Sequence, residues 1–271
     1  MTTDLFRCPI CHGALRVNEK SYICEKNHTF DIARQGYVNL LRAGAPHTQH
    51  GDNREMLLAR RRFLAAGHYR PLMDAVKDTA VRLTHPGGAV LDAGCGECSY
   101  TAAVEEGLRA SGTTATVLGV DISREALTIG KNPHLALAVA SLYHLPLGDA
   151  SLDLLLEIFS PHCGEEYRRV LRPGGHLIMA IPGARHLFGL KEALYATPYE
   201  NVVQDTALPG FLLQKKQDIT TTITLHGEEI HDLFAMTPYY YRTAPAAKEA
   251  LLSRTVLSTE IAFHLFVYEK E

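Results

Sequence analysis

Between residues 89 and 181 the chain alternates short apolar runs with helical segments, and this pattern restricts it to few architectures. Residues 89–92, 117–121, 135–140, 152–158 and 176–181 are buried strands by composition. Helical patterns at about 99–111, 123–130 and 164–172 lie between them. Such alternation folds as a parallel sheet with helices on both faces, so the fold class is α/β. Residues 220–225 and 260–268 are rich in β-branched and aromatic side chains and read as a closing pair of strands at the sheet edge. Helices at about 184–195 and 227–235 separate that pair from the fifth strand.

The first strand runs into VLDAGCGECSY, residues 90–100, where Asp92 is followed by Gly94 and Gly96. Glycines at such a turn let the backbone approach a ligand with no Cβ in the way. Asp121 ends the second strand, where a carboxylate suits two vicinal ribose hydroxyls. Asp149 and Asp153 bracket the entry to the fourth strand, and LRPGG at 171–175 turns into the fifth. Together these residues resemble class I S-adenosylmethionine-dependent methyltransferases. Asp92 ahead of the glycines separates them from dinucleotide folds, which favour a G-x-G-x-x-G spacing.

That resemblance implies a Rossmann-like, mostly parallel seven-stranded sheet and S-adenosylmethionine as cofactor. It places Asp92, Gly94 and Gly96 against the methionine part, Asp121 on the ribose and Ile122 beside the adenine. Ser141 and Leu142 fall where the adenine edge is read, and Tyr100 and Thr101 join the cofactor-binding set. One position departs from the pattern: Cys98 stands where a third glycine is usual. Cys95 and Cys98 form a C-x-x-C, which is open to a redox or second-metal reading. Asp92 and Asp121 already account for the motif, so both cysteines read as part of the cofactor loop, with Cys98 turned from the ligand.

Upstream, Cys8, Cys11, Cys24 and His28 read C-x2-C, twelve residues, then C-x3-H. The first pair makes a tight knuckle, and the second closes a tetrahedron around a borderline ion, by preference Zn2+. Four protein ligands close such a site, which makes it structural. The module is too short to bury a core, and a structural zinc supplies the missing folding free energy. The alternative is a set of free thiols near a histidine. His12 is a spare ligand candidate, but it directly follows Cys11 and would strain the knuckle.

Three units follow from this reading: a zinc-binding module at 1–35, a connection with helices at 36–84, and a methyltransferase domain at 85–271. Residues 36–51 read as a connection. Asp52 is the expected N-cap of the next helix, with Glu55 completing a capping box. Met56, Ala59 and Phe63 form its apolar stripe, Arg60, Arg61 and Arg62 ride on it, and Gly67 stops it. A second helix spans about 71–83.

The overall charge of −3 hides an asymmetry: residues 1–82 carry 13 Lys+Arg against 8 Asp+Glu, and residues 83–271 carry 14 against 22. A basic half suggests a polyanion partner, against the alternative of a solvated surface. No apolar run reaches membrane length, and Cys95, Cys98 and Cys163 form no secreted-type framework, so the cytoplasm is the expected compartment.

The order of parts narrows the resemblance. A Cys3His module, GYVNLL at 36–41, ARRRFLAAGHY at 59–69 and the methyltransferase fold resemble the bacterial 23S ribosomal RNA guanine-N1 methyltransferases. IFSP at 158–161, PGARHL at 182–187 and MTPYYYR at 236–242 extend the match over essentially the whole chain. The resemblance implies a guanine in one hairpin loop of 23S ribosomal RNA as acceptor, and brings Tyr69 and His186 close to the cofactor. A core tyrosine and a helix-terminal histidine are the alternatives. For RNA, the zinc module and Arg60–Arg62 are expected to track phosphates, and Tyr239, Tyr240 and Tyr241 are candidates for base stacking. Glu157 is the only acid in LLLEIFSP; a structural carboxylate is the favoured reading, and no general base is assigned.

Two rivals remain at this stage. A methyltransferase for a small acceptor would not need the basic zinc module. A non-catalytic RNA-binding protein would not need Asp92, Gly94, Gly96 and Asp121 intact. The sequence leaves open which guanine is modified, whether the substrate is free RNA or an assembly intermediate, and the oligomeric state, a homodimer included.

Overall fold

A computed structural model describes residues 1–42, 52–203 and 206–271. It begins with β1 (Leu15–Asn18), β2 (Ser21–Cys24) and β3 (Thr29–Asp31), a small antiparallel sheet of its own. Next come β4 (Tyr37–Asn39), α1 (Arg54–Ala65), α2 (Arg70–Leu83), β5 (Gly88–Ala93), α3 (Ser99–Ala110), β6 (Ala115–Asp121), α4 (Arg124–Ile129) and β7 (Ala136–Val139). The chain continues through β8 (Leu152–Ile158), α5 (Gly164–Val170), β9 (Leu171–Pro182), α6 (Phe188–Leu194) and β10 (Phe211–His226). It ends with α7 (Glu228–Ala235), α8 (Tyr239–Arg242), α9 (Pro245–Leu252) and β11 (Val256–Lys270).

The main sheet has eight strands in the order β10-β11-β9-β8-β5-β6-β7-β4. From β9 to β4 every pairing is parallel, and β11 and β10 close the sheet antiparallel. The β5 strand is buried at every position, as a parallel strand covered on both faces must be. The expected seven strands are all present, with one more. Residues 37–39, inside the segment read as a connection, pair with 137–139 and add β4 to the edge. Val38 is buried there, yet three residues amid glycines and small polar groups are too short a run to reveal a strand. The part of that segment at 43–51 lies outside the described residues.

The start of α1 also differs from expectation. Asn53, not Asp52, caps it, with Oδ1 accepting from the Met56 N–H at 3.0 Å. Asp52 instead pairs with Arg60, and Glu55 accepts a hydrogen bond from the Tyr240 hydroxyl.

Apolar side chains collect on both faces of the sheet. Helices α1, α2 and α7 pack one face through Phe63, Leu72, Val76 and Leu233. The other face is covered by Tyr167 and Val170 of α5, and by Phe6, Leu15 and Tyr22 of the N-terminal module against Leu118, Val120 and Ala138. The module is therefore laid on the sheet and shares its core. No helix among the described residues is long and apolar enough to cross a membrane.

Candidate cofactor cleft and metal centre

Parallel sheets present ligand sites at the carboxyl ends of their strands, where loops rather than side-chain rows form the surface. Here β5 ends at Asp92 and the chain turns through Gly94 (φ +82°) and Gly96 (φ +54°) into α3. A Cβ on Gly94 would lie 2.5 Å from Cβ of Ser160, so only glycine lets this loop pass under the segment after β8. Asp121, at the end of β6, ties the loop from the side. One carboxylate oxygen accepts from the Gly96 N–H and the other from the Ser123 N–H, both at 2.8 Å. Burial raises the Asp121 pKa, and these two N–H bonds oppose the rise. Each oxygen keeps a lone pair for a further donor such as a ribose hydroxyl.

A cavity of about 2210 Å3 opens above this loop. Its wall contains Gly94, Gly96, Tyr100, Asp121, Ile122, Ser141, Leu142, Tyr69 and His186, so residues far apart in the chain converge as expected. Asp92 and Thr101 do not reach the wall: both are buried behind it, joined by a 2.5 Å hydrogen bond from the Thr101 hydroxyl. Burial pushes the Asp92 carboxyl up to about 7, against the pull of Thr101. Two buried polar atoms at this end, Asp92 Oδ1 and the Tyr100 hydroxyl, have no partner among the described residues. The Tyr100 hydroxyl, an unanswered polar group of the wall itself, fits a polar ligand such as the amino-acid end of S-adenosylmethionine.

Cys98 adopts φ +63°, the left-handed conformation a glycine would take with less strain. Its Sγ lies 2.7 Å from where a Cβ on Gly130 would be and 3.6 Å from Sγ of Cys95. The thiol thus points to the end of α4, away from the cleft.

The Tyr69 hydroxyl and His186 Nε2 are 3.2 Å apart, and His186 Nδ1 accepts from the Ala262 N–H at 3.3 Å. The ring proton therefore sits on Nε2, directed at the Tyr69 oxygen. Burial and the Lys191 ammonium lower the His186 pKa to about 3, so the imidazole is neutral. Burial raises the Tyr69 pKa, so its phenol keeps its proton.

Other expected residues go elsewhere. Glu157 is buried and its carboxylate receives His162 Nδ1 at 2.8 Å, outside the cleft wall, as a structural carboxylate does. Tyr240 and Tyr241 bond to Glu55 and Asn53 at the start of α1, leaving Tyr239 as the tyrosine of the three in the wall. The arginines of α1 are a correction. Arg62 forks onto Asp232, Arg61 donates to the Ile129 carbonyl, and Arg60 turns into the cleft to pair with Asp52 at 2.5 Å. They do not form a free phosphate track. Arg60 is the wall residue that sequence reasoning misplaced, although Met56, Arg60 and Leu64 form an i, i+4, i+8 row that all faces the cleft.

The metal centre is built by the knuckle before β1 and the turn after β2. Ligand atoms of Cys8, Cys11, Cys24 and His28 all lie within 4.8 Å of one another. Cys11 Sγ is 3.6 Å from Cys24 Sγ, and His28 Nδ1 is 3.5 Å from Cys8 Sγ and 3.3 Å from Cys24 Sγ. A zinc tetrahedron has S–S edges of roughly 3.8 Å and S–N edges of roughly 3.6 Å, computed from ordinary bond lengths. Burial raises the Cys24 pKa, but the His28 N–H and its neighbours bring it down to about 7, favouring the thiolate. His12 (φ +60°) is not in the quartet and lines the cleft instead.

Fold and sites together define an S-adenosylmethionine-dependent methyltransferase carrying an N-terminal zinc ribbon. A family model described as "RlmA, N-terminal" matches residues 6–47, and one described as "Methyltransferase domain" matches residues 91–179. The 23S rRNA (guanine(748)-N(1))-methyltransferase of Streptomyces fradiae is 35% identical, covering 88% of this chain and 86% of its own. A protein of Micromonospora griseorubida, provisionally named 23S rRNA (guanine-N(1)-)-methyltransferase, is 36% identical over 93% of each chain. Demethylmenaquinone methyltransferase of Bacillus velezensis is 27% identical, over only 40% of this chain. The chain belongs to the 23S rRNA (guanine-N1-)-methyltransferase family.

Proposed function

We propose that this protein transfers a methyl group from S-adenosylmethionine to N1 of a guanine in a hairpin loop of 23S ribosomal RNA, in the cytoplasm. The observation that carries the reading is the extent of the cleft. It runs from the glycine loop to Arg7, Pro9 and His12 of the zinc module, at about 2210 Å3. Pockets for small molecules are roughly 300–1,000 Å3. A small acceptor would need neither that volume nor a wall supplied by a zinc module, whereas a flipped loop nucleotide with its flanking backbone fills both.

In this reading Gly94, Gly96, Tyr100, Asp121, Ile122, Ser141 and Leu142 hold the cofactor, with Asp92 and Thr101 bracing the loop from behind. When bound, the cofactor supplies a methyl group made electrophilic by its sulfonium. The chain's part is to align the acceptor and keep water out. Guanine N1 must lose its proton for attack; water takes it, and the resulting negative charge spreads to the base oxygen. With His186 Nε2–H directed at the Tyr69 oxygen, the Tyr69 hydroxyl can donate into the cleft to such an oxygen. Protonated Tyr69 and neutral His186 suit donation, not proton removal.

An N1 methyl group blocks Watson–Crick pairing, so reverse transcription stops beside it. Ribosomal RNA incubated with the protein and cofactor should show one new stop at a loop guanine. Absence of any stop, with methyl transfer to a small quinone precursor instead, would favour the small-molecule reading.

A further inference from the structure

The methionine end of the cofactor is a zwitterion, and a cleft that removes it from water must answer both charges. For the carboxylate the candidate is Arg60. It projects from α1 into the cleft between Met56 and Leu64. Its Nη1 lies 3.8 Å from the point a Cβ on Gly96 would occupy and 4.0 Å from Glu97 Oε2. It shares the cleft wall with Tyr69, Tyr100 and Asp121, and its charge is felt at all three.

That guanidinium already holds a carboxylate. Asp52 Oδ2 is 2.5 Å from Arg60 Nη2, and Asp52 also lines the cleft. Asp52 does not cap α1, because Asn53 does. Nor is it fixed like its neighbours: Asp121 is held by two backbone N–H groups and Glu97 is buried in the loop. Asp52 stands on irregular backbone ahead of α1, so it can leave without breaking a helix or a strand. The Asp52 charge opposes ionisation of Asp121, and the Arg60 charge offsets it.

We propose that Arg60 is the receptor for the α-carboxylate of the cofactor, and that Asp52 occupies this receptor until the cofactor displaces it. Cofactor entry is then an exchange of one carboxylate for another on a single guanidinium. This inference rests on the cofactor alone and not on the identity of the acceptor RNA.

Calorimetry with two ligands separates it from a structural role. S-adenosylhomocysteine carries the amino-acid end, and 5′-methylthioadenosine lacks it. Arg60→Gln should weaken S-adenosylhomocysteine roughly 10- to 100-fold, the range of one charge-assisted hydrogen bond, and leave methylthioadenosine unchanged. Arg60→Lys should fall between, since it keeps the charge and loses the fork. Asp52→Asn should tighten S-adenosylhomocysteine and leave methylthioadenosine unchanged, and adding it to Arg60→Gln should give no gain. Equal weakening of both ligands by Arg60→Gln, or no weakening of S-adenosylhomocysteine, overturns the receptor. Unchanged or weaker S-adenosylhomocysteine binding by Asp52→Asn overturns the exchange. Should Arg60→Gln fail to fold, Arg60→Lys decides by the same ratio of the two ligands.

Discussion

Replacing Cys24 with Ser should destabilise the main sheet as well as the zinc module. Isolated zinc modules gain roughly 10–16 kcal/mol from the ion near neutral pH, so losing one of four ligands removes the reason β1–β3 stay folded. The consequence for the rest follows from the shared core. Phe6 and Leu15 are fully buried and Tyr22 nearly so, in one cluster with Leu118, Val120, Ala136 and Ala138 of β6 and β7. At about 1.5–3 kcal/mol for each large side chain, those three are worth roughly 5–9 kcal/mol, shared between contacts inside the module, such as Phe6 on Tyr22, and contacts with the sheet. Domains are stable by about 5–15 kcal/mol in total, so the loss is comparable with the whole. One backbone bond goes with it, from the Arg7 N–H to the Pro146 carbonyl. Hydrogen exchange resolved by segment is the assay. Amides of β6 and β7 should lose protection together with those of β1–β3, and thermal unfolding should shift down as a single transition, as it should when a chelator strips the wild type. Fast exchange in β1–β3 with full protection in β6 and β7 would show the module to be independent and refute the reasoning.

Asp121→Ala should weaken S-adenosylmethionine by about 1.5–3 kcal/mol, the worth of hydrogen bonds to a charged group; unchanged calorimetric affinity would remove the ribose assignment. His186, lowered from 6.5 to about 3, should stay neutral as pH falls between those values. The unfolded chain takes up a proton in that window and the folded chain does not, so stability is present above 6.5 and lost toward 3. His186→Asn should flatten that loss, and a nitrogen NMR spectrum showing imidazolium midway through the window would contradict it. If the module contacts RNA phosphates, neutralising exposed Lys20, Lys26 or Arg34 should each lower the salt slope of RNA binding by about 0.7–0.9. Arg62→Gln should leave the slope unchanged, because its guanidinium is held by Asp232, and equal effects at both sets would deny the module a special role.

What the sequence revealed depended on how locally each feature is encoded. The zinc quartet closes within residues 8–28, so spacing alone reports it. The glycine loop is legible because Gly94 is forced by a positive φ and a close approach, and no other residue type would serve. Strands β5, β6 and β8 are continuous apolar runs because both faces of a parallel sheet are covered. The closing strands ran longer than expected. The first half of β10 reads LLQKKQD, since an edge strand facing solvent needs no apolar pattern. Tyr69 and His186 meet across 117 residues, and no local rule encodes that pairing; the family resemblance brought each toward the cofactor, not to the other. The arginine run misled because its charge was visible and its partners, Asp232 and the Ile129 carbonyl, were not.

Those partners give α1 a second role. Arg54 pairs with Glu125 and Arg61 with the Ile129 carbonyl, which ties one flank of α1 to α4, the helix that follows Asp121. Arg62 with Asp232, Arg60 with the Met236 carbonyl, Glu55 with Tyr240 and Asn53 with Tyr241 tie its other flank to α7 and α8. Tyr239 of α8 and Arg242 line the same cleft. The row Met56, Arg60 and Leu64 thus faces the cleft from a helix fastened both to α4 and to α7 and α8. Asp52 lies one residue before Asn53, whose amide holds Tyr241. In the proposed exchange, displacement of Asp52 from Arg60 would therefore act next to the contact between Asn53 and Tyr241 that holds α8 to the start of α1.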